Sequence, residues 1–182
     1  MKKQIYLFLL PSLMLVSCEF KCNIGKVNEP TNNHKKVIEK EGAVIFNGIE
    51  LAANKVKLNK AYLVENNKSG KSINENNFID VKEGVKLMLI IDSGWTAINN
   101  SVWLGASMKV TADNGEVLMN KQDMFEEFNE NGISINDSKF LALSVFFTEW
   151  YAKRPVSLDV TFNIWDKKGE GSIIGKYRVH TK

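Results

Sequence analysis

The sequence is poor in the residues that build most active sites. Among 182 residues it has two cysteines, two histidines, three prolines and two arginines, Arg154 and Arg178. His34 lies near the start and His180 two residues from the end, so they form no metal-binding pair. No Gly-x-Ser-x-Gly elbow is present, which removes the usual serine-hydrolase nucleophile. A permanent membrane-crossing helix needs about 20 apolar residues in a row, and no run reaches that length. Charge of one sign is not in excess either. The formal net charge is +3, and losing Lys2 and Lys3 with a leader would leave +1. That balance argues against a nucleic-acid surface, which requires a basic patch. Long amphipathic helix patterns are absent too, which excludes helical bundles.

The longest apolar stretch runs from Ile5 to Val16, broken only by Pro11 and Ser12, after the basic start Met1-Lys2-Lys3. Its length and flanking charge suit a signal-peptide core. It closes on Leu15-Val16-Ser17-Cys18. This box resembles the lipobox of bacterial lipoproteins: a leucine, a variable residue, a small residue, then cysteine. The resemblance implies cleavage between Ser17 and Cys18, with Cys18 carrying a diacylglycerol and an acylated amine. More than one acyl chain is what makes such an anchor stable. Glu19, rather than Asp, follows the cysteine; by the same resemblance this favours the outer membrane or cell surface over the inner membrane. Cys22 then has no partner in the chain and is either a bystander thiol or half of an intermolecular disulfide. From Cys18 to residue 41 the sequence is polar and aperiodic, with Pro30, and reads as a tether. About 24 flexible residues span roughly 25–30 Å. The expected organisation is a leader over 1–17, a lipidated tether over 18–41 and one domain over 42–182.

That domain reads in period two. Val102, Leu104, Ala106, Met108 and Val110 share one parity, as do Val156, Leu158, Val160, Phe162 and Ile164, with Ser157, Asp159, Thr161 and Asn163 on the other. "VKLMLIID" and "KFLALSVFFT" are apolar at both parities and read as central strands. Turns are marked by Asn47-Gly48, Asp113-Asn114-Gly115 and Asp166-Lys167-Lys168-Gly169. We expect an all-β, antiparallel β-sandwich of about eight strands, with Asn47-Gly48 closing a hairpin. One short helix, "KQDMFEEFN", would be capped by Asp123 and cross between the sheets. The strand–Asp113-Asn114-Gly115–strand step, the Asp123-Met124-Phe125 that follows, and the closing hairpin at Trp165-Asp166 resemble immunoglobulin-like domains of secreted bacterial lipoproteins.

Little in the chain points to catalysis. "ENNKSGKS" ends like a phosphate loop, but Glu65 stands where glycine is needed, so it reads as a polar loop. Asp113, Glu116, Asp166 and Glu170 stand at hairpin turns and would need to gather at one end of the sandwich to hold calcium; as ordinary turn residues they need no metal. We therefore expect no cofactor and no metal. Trp103 and Trp165 fall on the polar parity of their strands, and Trp150-Tyr151 stand beside Arg154. Tryptophans among polar groups suit a contact surface for a protein or a glycan. The expected function is a non-enzymatic envelope binding or assembly module. Its alternative is a carboxylate-based hydrolase, which needs two acids in one cleft. The anchor has a direct test. Cys18→Ala is expected to move the protein from the membrane to the soluble fraction on cell fractionation, and a variant that stays with the membrane contradicts the anchor.

Overall fold

The computed structural model describes residues 38–40, 42–147 and 156–182. Ser17, Cys18, Trp150, Tyr151 and Arg154 lie outside the described residues. The strands are β1 (Ile38–Lys40), β2 (Ala43–Ile45), β3 (Glu50–Asn54), β4 (Lys57–Glu65), β5 (Phe78–Ile79), β6 (Val85–Ser93), β7 (Ser101–Val102), β8 (Leu104–Ala112), β9 (Val117–Lys121), β10 (Ile133–Ser134), β11 (Phe140–Val145), β12 (Ser157–Asp166) and β13 (Ser172–Thr181). Eight of these have five residues or more. All eight fall within runs expected as strands; the rest are short pieces of two or three residues, among them β2, the run expected before Asn47-Gly48.

The first sheet has the order β1-β2-β4-β6-β11. The second runs β3-β13-β12-β8-β9, with β5 added beside β13. A small third pairing joins β7 to β10. Alternation places Leu87, Leu89 and Leu143 of the first sheet and Met108, Val160 and Phe162 of the second in one buried core. The strands β12 and β8 keep a continuous register from Leu158↔Ala112 to Asp166↔Leu104. A bulge at Leu58–Lys60 lets Leu58, Ala61 and Leu63 of β4 all reach the core despite an odd spacing.

Three expectations need correction. First, Asn47-Gly48 makes the tight turn its sequence calls for, with φ of 58° and 60° and the Ile49 amide donating to Phe46 O. It does not close a hairpin, because β2 and β3 belong to different sheets. The chain leaves the first sheet, forms β3 in the second, and returns as β4. This crossover makes β2 and β4 parallel, so the sandwich is not wholly antiparallel; β5 and β13 are parallel too. Second, β6 is interior but β11 is an edge strand among the described residues, although both of its faces are apolar. Third, the expected crossing helix is a single 3₁₀ turn, Glu126–Phe128. Asp123 Oδ1 accepts from the Phe125 amide but also from Ala106 of β8, and the Met124 amide donates to Ala106 O. These bonds pin the segment to β8 and prevent a longer helix. The connection still passes from β9 in the second sheet to β11 in the first.

A buried asparagine pair explains why the Asn47-Gly48 turn changes sheets. Asn47 Oδ1 accepts from the Leu63 amide of β4 at 2.9 Å. Its Nδ2 donates to Ile73 O at 3.1 Å and to Asn77 Oδ1 at 3.0 Å. Asn77 Nδ2 donates to Asn47 O at 2.7 Å and to Arg178 O of β13 at 2.8 Å. The pair therefore links one strand of each sheet to the 73–77 loop. Asn77 also holds φ at 54°, which asparagine tolerates better than most residues. Asn77→Asp keeps the shape but replaces the donor of two buried bonds with an acceptor. We expect it to lower stability by about 3 kcal/mol in urea unfolding, against less than about 0.5 kcal/mol for the exposed Asn120→Ala.

Candidate functional site

The outward parity of the second sheet includes two adjacent side-chain rows that meet the cleft. One runs Ser107–Asn163–Ile174 across β8, β12 and β13. The other runs Asn120–Lys109–Thr161–Lys176–Glu50 across β9, β8, β12, β13 and β3. A cleft of about 760 Å³ lies along these rows. Apolar side chains line it as well: Met108 and Phe162 of the second sheet, Leu51 of β3, buried Ile45 of β2 in the first sheet and Ile49 of the turn that follows it, with Gly175. Gly175 is required there: a Cβ would come within 2.4 Å of the Phe162 ring and 2.8 Å of Glu50 O.

The chemistry of the cleft is mixed. Ile174 is 58% exposed, with the amides, hydroxyls and lysines of the two rows beside it. Asn163 Oδ1 is shielded from solvent yet has no donor among the described residues, which leaves an acceptor unsatisfied at the cleft. Glu50 is the one carboxylate in the lining and pairs with Lys176 at 3.0 Å. Lys109 adds a second positive charge. Beyond the cleft on the same face, Arg178 grips Asp159 through two bonds of 2.7 and 2.8 Å. That contact holds the Asp159 carboxyl below its usual range, against a smaller opposing effect of burial. Ser157 Oγ lies 2.9 Å from Nδ1 of His180 as a cross-strand pair.

Trp165 shares the outward parity of Thr161 and Asn163 on β12, but the tryptophans stand beyond the cleft. Trp165 is half-buried over Gly105, where a Cβ would come within 2.2 Å of the indole. Trp103 is half-buried with Lys168 Nζ 5.9 Å from its ring centroid. Both sit at the end of the second sheet where Asp166 pairs with Leu104, and neither lines the cleft. Trp95 packs partly buried against the core, as a loop anchor does. Sequence reading picked out Thr161 and Asn163 as outward-facing but passed over Ile174. Its signal was available: it is the one large apolar residue at the outward parity of "SIIGKYRVH".

The turn carboxylates do not gather. The β8–β9 turn with Asp113 and Glu116 and the β12–β13 turn with Asp166 and Glu170 stand at opposite ends of the β8–β12 ladder, roughly 27 Å apart at 3.4 Å per residue. Asp166 is buried and accepts from the Thr96 and Lys168 amides, so it shapes a turn. Glu170 pairs with Lys55. Among the described residues no group of three or more His, Cys, Asp or Glu is placed to hold a metal ion. A smaller cleft of about 360 Å³ includes Asp123, Glu126 and Glu127, but Asp123 is engaged by Lys167 at 2.6 Å.

No protein-family model matches the sequence, and no curated protein matches it. Among solved structures the chain is similar to a Niemann-Pick type C2 protein from the Japanese carpenter ant, with a TM-score of 0.42 and 11% identity over 72% of this chain and 96% of that one. A similarity this distant carries no inference about fold or activity. The class is set by the coordinates themselves: an all-β sandwich with an open, mixed-polarity cleft lined mainly by the second sheet and reaching Ile45 of the first.

Asp123 gives the site's surroundings a pH dependence. Burial raises its pKa, but the Lys167 ammonium and the Phe125 and Ala106 amides outweigh burial and hold the carboxyl below its usual range. A depressed folded pKa means the stabilisation is complete above the unfolded value of about 3.9 and is lost as pH falls through the lower folded value. Asp123→Asn should cost about 1–2 kcal/mol in denaturant melts at neutral pH. The gap to the parent protein should close on acidification; a gap that widens in acid contradicts this account.

Proposed function

We propose that this protein is a lipid-anchored binding or assembly module of a bacterial cell envelope, and that its partner is a protein. Cys18 carries the lipid at the outer membrane or cell surface, the residues from 18 up to β1 tether the domain, and the outward face of the second sheet receives the partner. The observation that carries this reading is the cleft beside Ile174. Exposed Ile174 beside the apolar side chains of Ile45, Leu51 and Met108, rimmed by amides, two hydroxyls and two lysines, resembles the anchored, polar-rimmed make-up of protein contact surfaces. A glycan site favours an exposed aromatic platform. The one aromatic lining this cleft, Phe162, is buried, which favours a protein over a sugar.

A carboxylate-based hydrolase fits less well. Its chemistry needs two acids flanking the reacting bond, and the cleft offers Glu50 alone, paired with Lys176. We read the sandwich as immunoglobulin-like on the strength of the β8–β9 hairpin at Asn114-Gly115 and the closing β12–β13 hairpin.

The reading predicts where a photo-crosslinking residue will capture a partner in living cells. Placed at Ile174, it should yield a discrete protein adduct that is missing when the same residue replaces exposed Asn59 of β4. Asn163→Trp, which fills the cleft, should abolish the Ile174 adduct. Equal adducts from both positions, or an adduct indifferent to Asn163→Trp, contradict the proposal.

A further inference from the structure

The four terminal strands of the two main sheets differ in one respect. β1 carries Glu39 and Lys40, β3 carries Glu50, and β9 carries Lys121. The segment from Phe140 to Phe147, "FLALSVFF", has no charge and no proline. Exposed edges are normally guarded by such residues, because unpaired N–H and C=O groups template the addition of another strand. β11 bonds to β6 on one side, and no strand pairs its other side among the described residues. Its outward parity ends in two exposed aromatics, Phe140 at 49% and Phe146 at 51%, with smaller Ala142 and Ser144 between them.

We propose that β11 is a homodimerisation edge, and that a second copy of this chain pairs with it antiparallel about a two-fold axis. Sheet parity limits the register, because a one-residue slip would put core residues on the solvent face. Centring the axis on Leu143 sets Phe140 opposite Phe146 of the second copy and Ala142 opposite its Ser144. Each dimer then gains two cross-strand aromatic pairs. Leu141 and Val145 meet across the inner face and extend the core. No like charges are opposed, and the same patch serves both copies, as a closed two-fold interface requires. The two five-stranded sheets become one continuous sheet. The occupant is argued to be this chain because the edge is complementary to itself in the register its parity allows.

Disulfide trapping tests both pairing and register. The full chain, with Cys18 and Cys22 replaced by Ala, is purified in detergent as separate Ala142→Cys and Ser144→Cys preparations. Directly opposed Cα atoms in an antiparallel pair are about 4.5–5.5 Å apart, within disulfide range. Mixing the two should give a mixed disulfide dimer under mild oxidation, in clear excess over either preparation alone. Analytical ultracentrifugation of the untrapped chain should show dimer, and Ser144→Lys should weaken it by roughly tenfold or more. A circular dichroism melt shows whether Ser144→Lys still folds, and the trapping result does not depend on that variant. A monomer at high micromolar concentration without a mixed disulfide overturns the proposal, whether the edge then pairs another protein's strand or none. Crosslinking only within each preparation overturns the register.

Discussion

Everything in this sandwich depends on the buried Asn47–Asn77 pair. Two short side chains satisfy a β4 amide, a loop carbonyl, a β13 carbonyl and each other. Hydrophobic burial brings the sheets together but does not by itself fix which strand crosses where. The asparagine bonds do so, because a buried donor or acceptor left unpaired costs more than a misplaced methyl group. They commit the chain to leave β2 for the second sheet and to return as β4. That crossover sets β3 beside β13 and so completes the row that ends at Glu50. The shape of the outer face therefore follows from a polar clasp inside the molecule.

Much of the fold was legible because sheets write their faces into alternate residues. The parity of β8 and β12 named their core residues one by one, and the Asn114-Gly115 turn closed the hairpin its sequence called for. The Asn47-Gly48 turn was read correctly as a turn and wrongly as a hairpin, because its decisive partners lie far along the chain at Leu63, Ile73, Asn77 and, through Asn77, Arg178. β11 looked interior since both of its faces are apolar. Edge position depends on which strands stack beside it, and local composition does not encode that. The cleft was hidden for the same reason: its rows run across five strands. Trp103 and Trp165 drew notice as aromatics on a polar parity, yet packing against Gly105 and Lys168 draws them partly under cover. Ile174 is smaller but far more exposed.

The molecule divides its surfaces by chemistry. The outward face of the second sheet is largely polar, charged in places, and interrupted by the exposed apolar side chains of Ile174 and Val117. The far edge of the first sheet is uncharged and aromatic at both ends. β1 lies at the edge of the first sheet opposite β11. On the proposed anchoring the chain enters beside Ile45, which pairs with Ile38 and lines the cleft, and at the far edge of the first sheet from β11.

The proposed partner covers Thr161 and Ile174 on the outward face of the second sheet in the envelope. Thiol accessibility in intact cells tests this most directly, using Thr161→Cys and Ile174→Cys with exposed Asn59→Cys as reference, each in a Cys22→Ala background. A membrane-impermeant maleimide should label the first two much more slowly in cells than in the purified protein, while Asn59→Cys reacts alike in both. If Thr161→Cys and Ile174→Cys react as fast in cells as they do in isolation, that face is open and the account is contradicted.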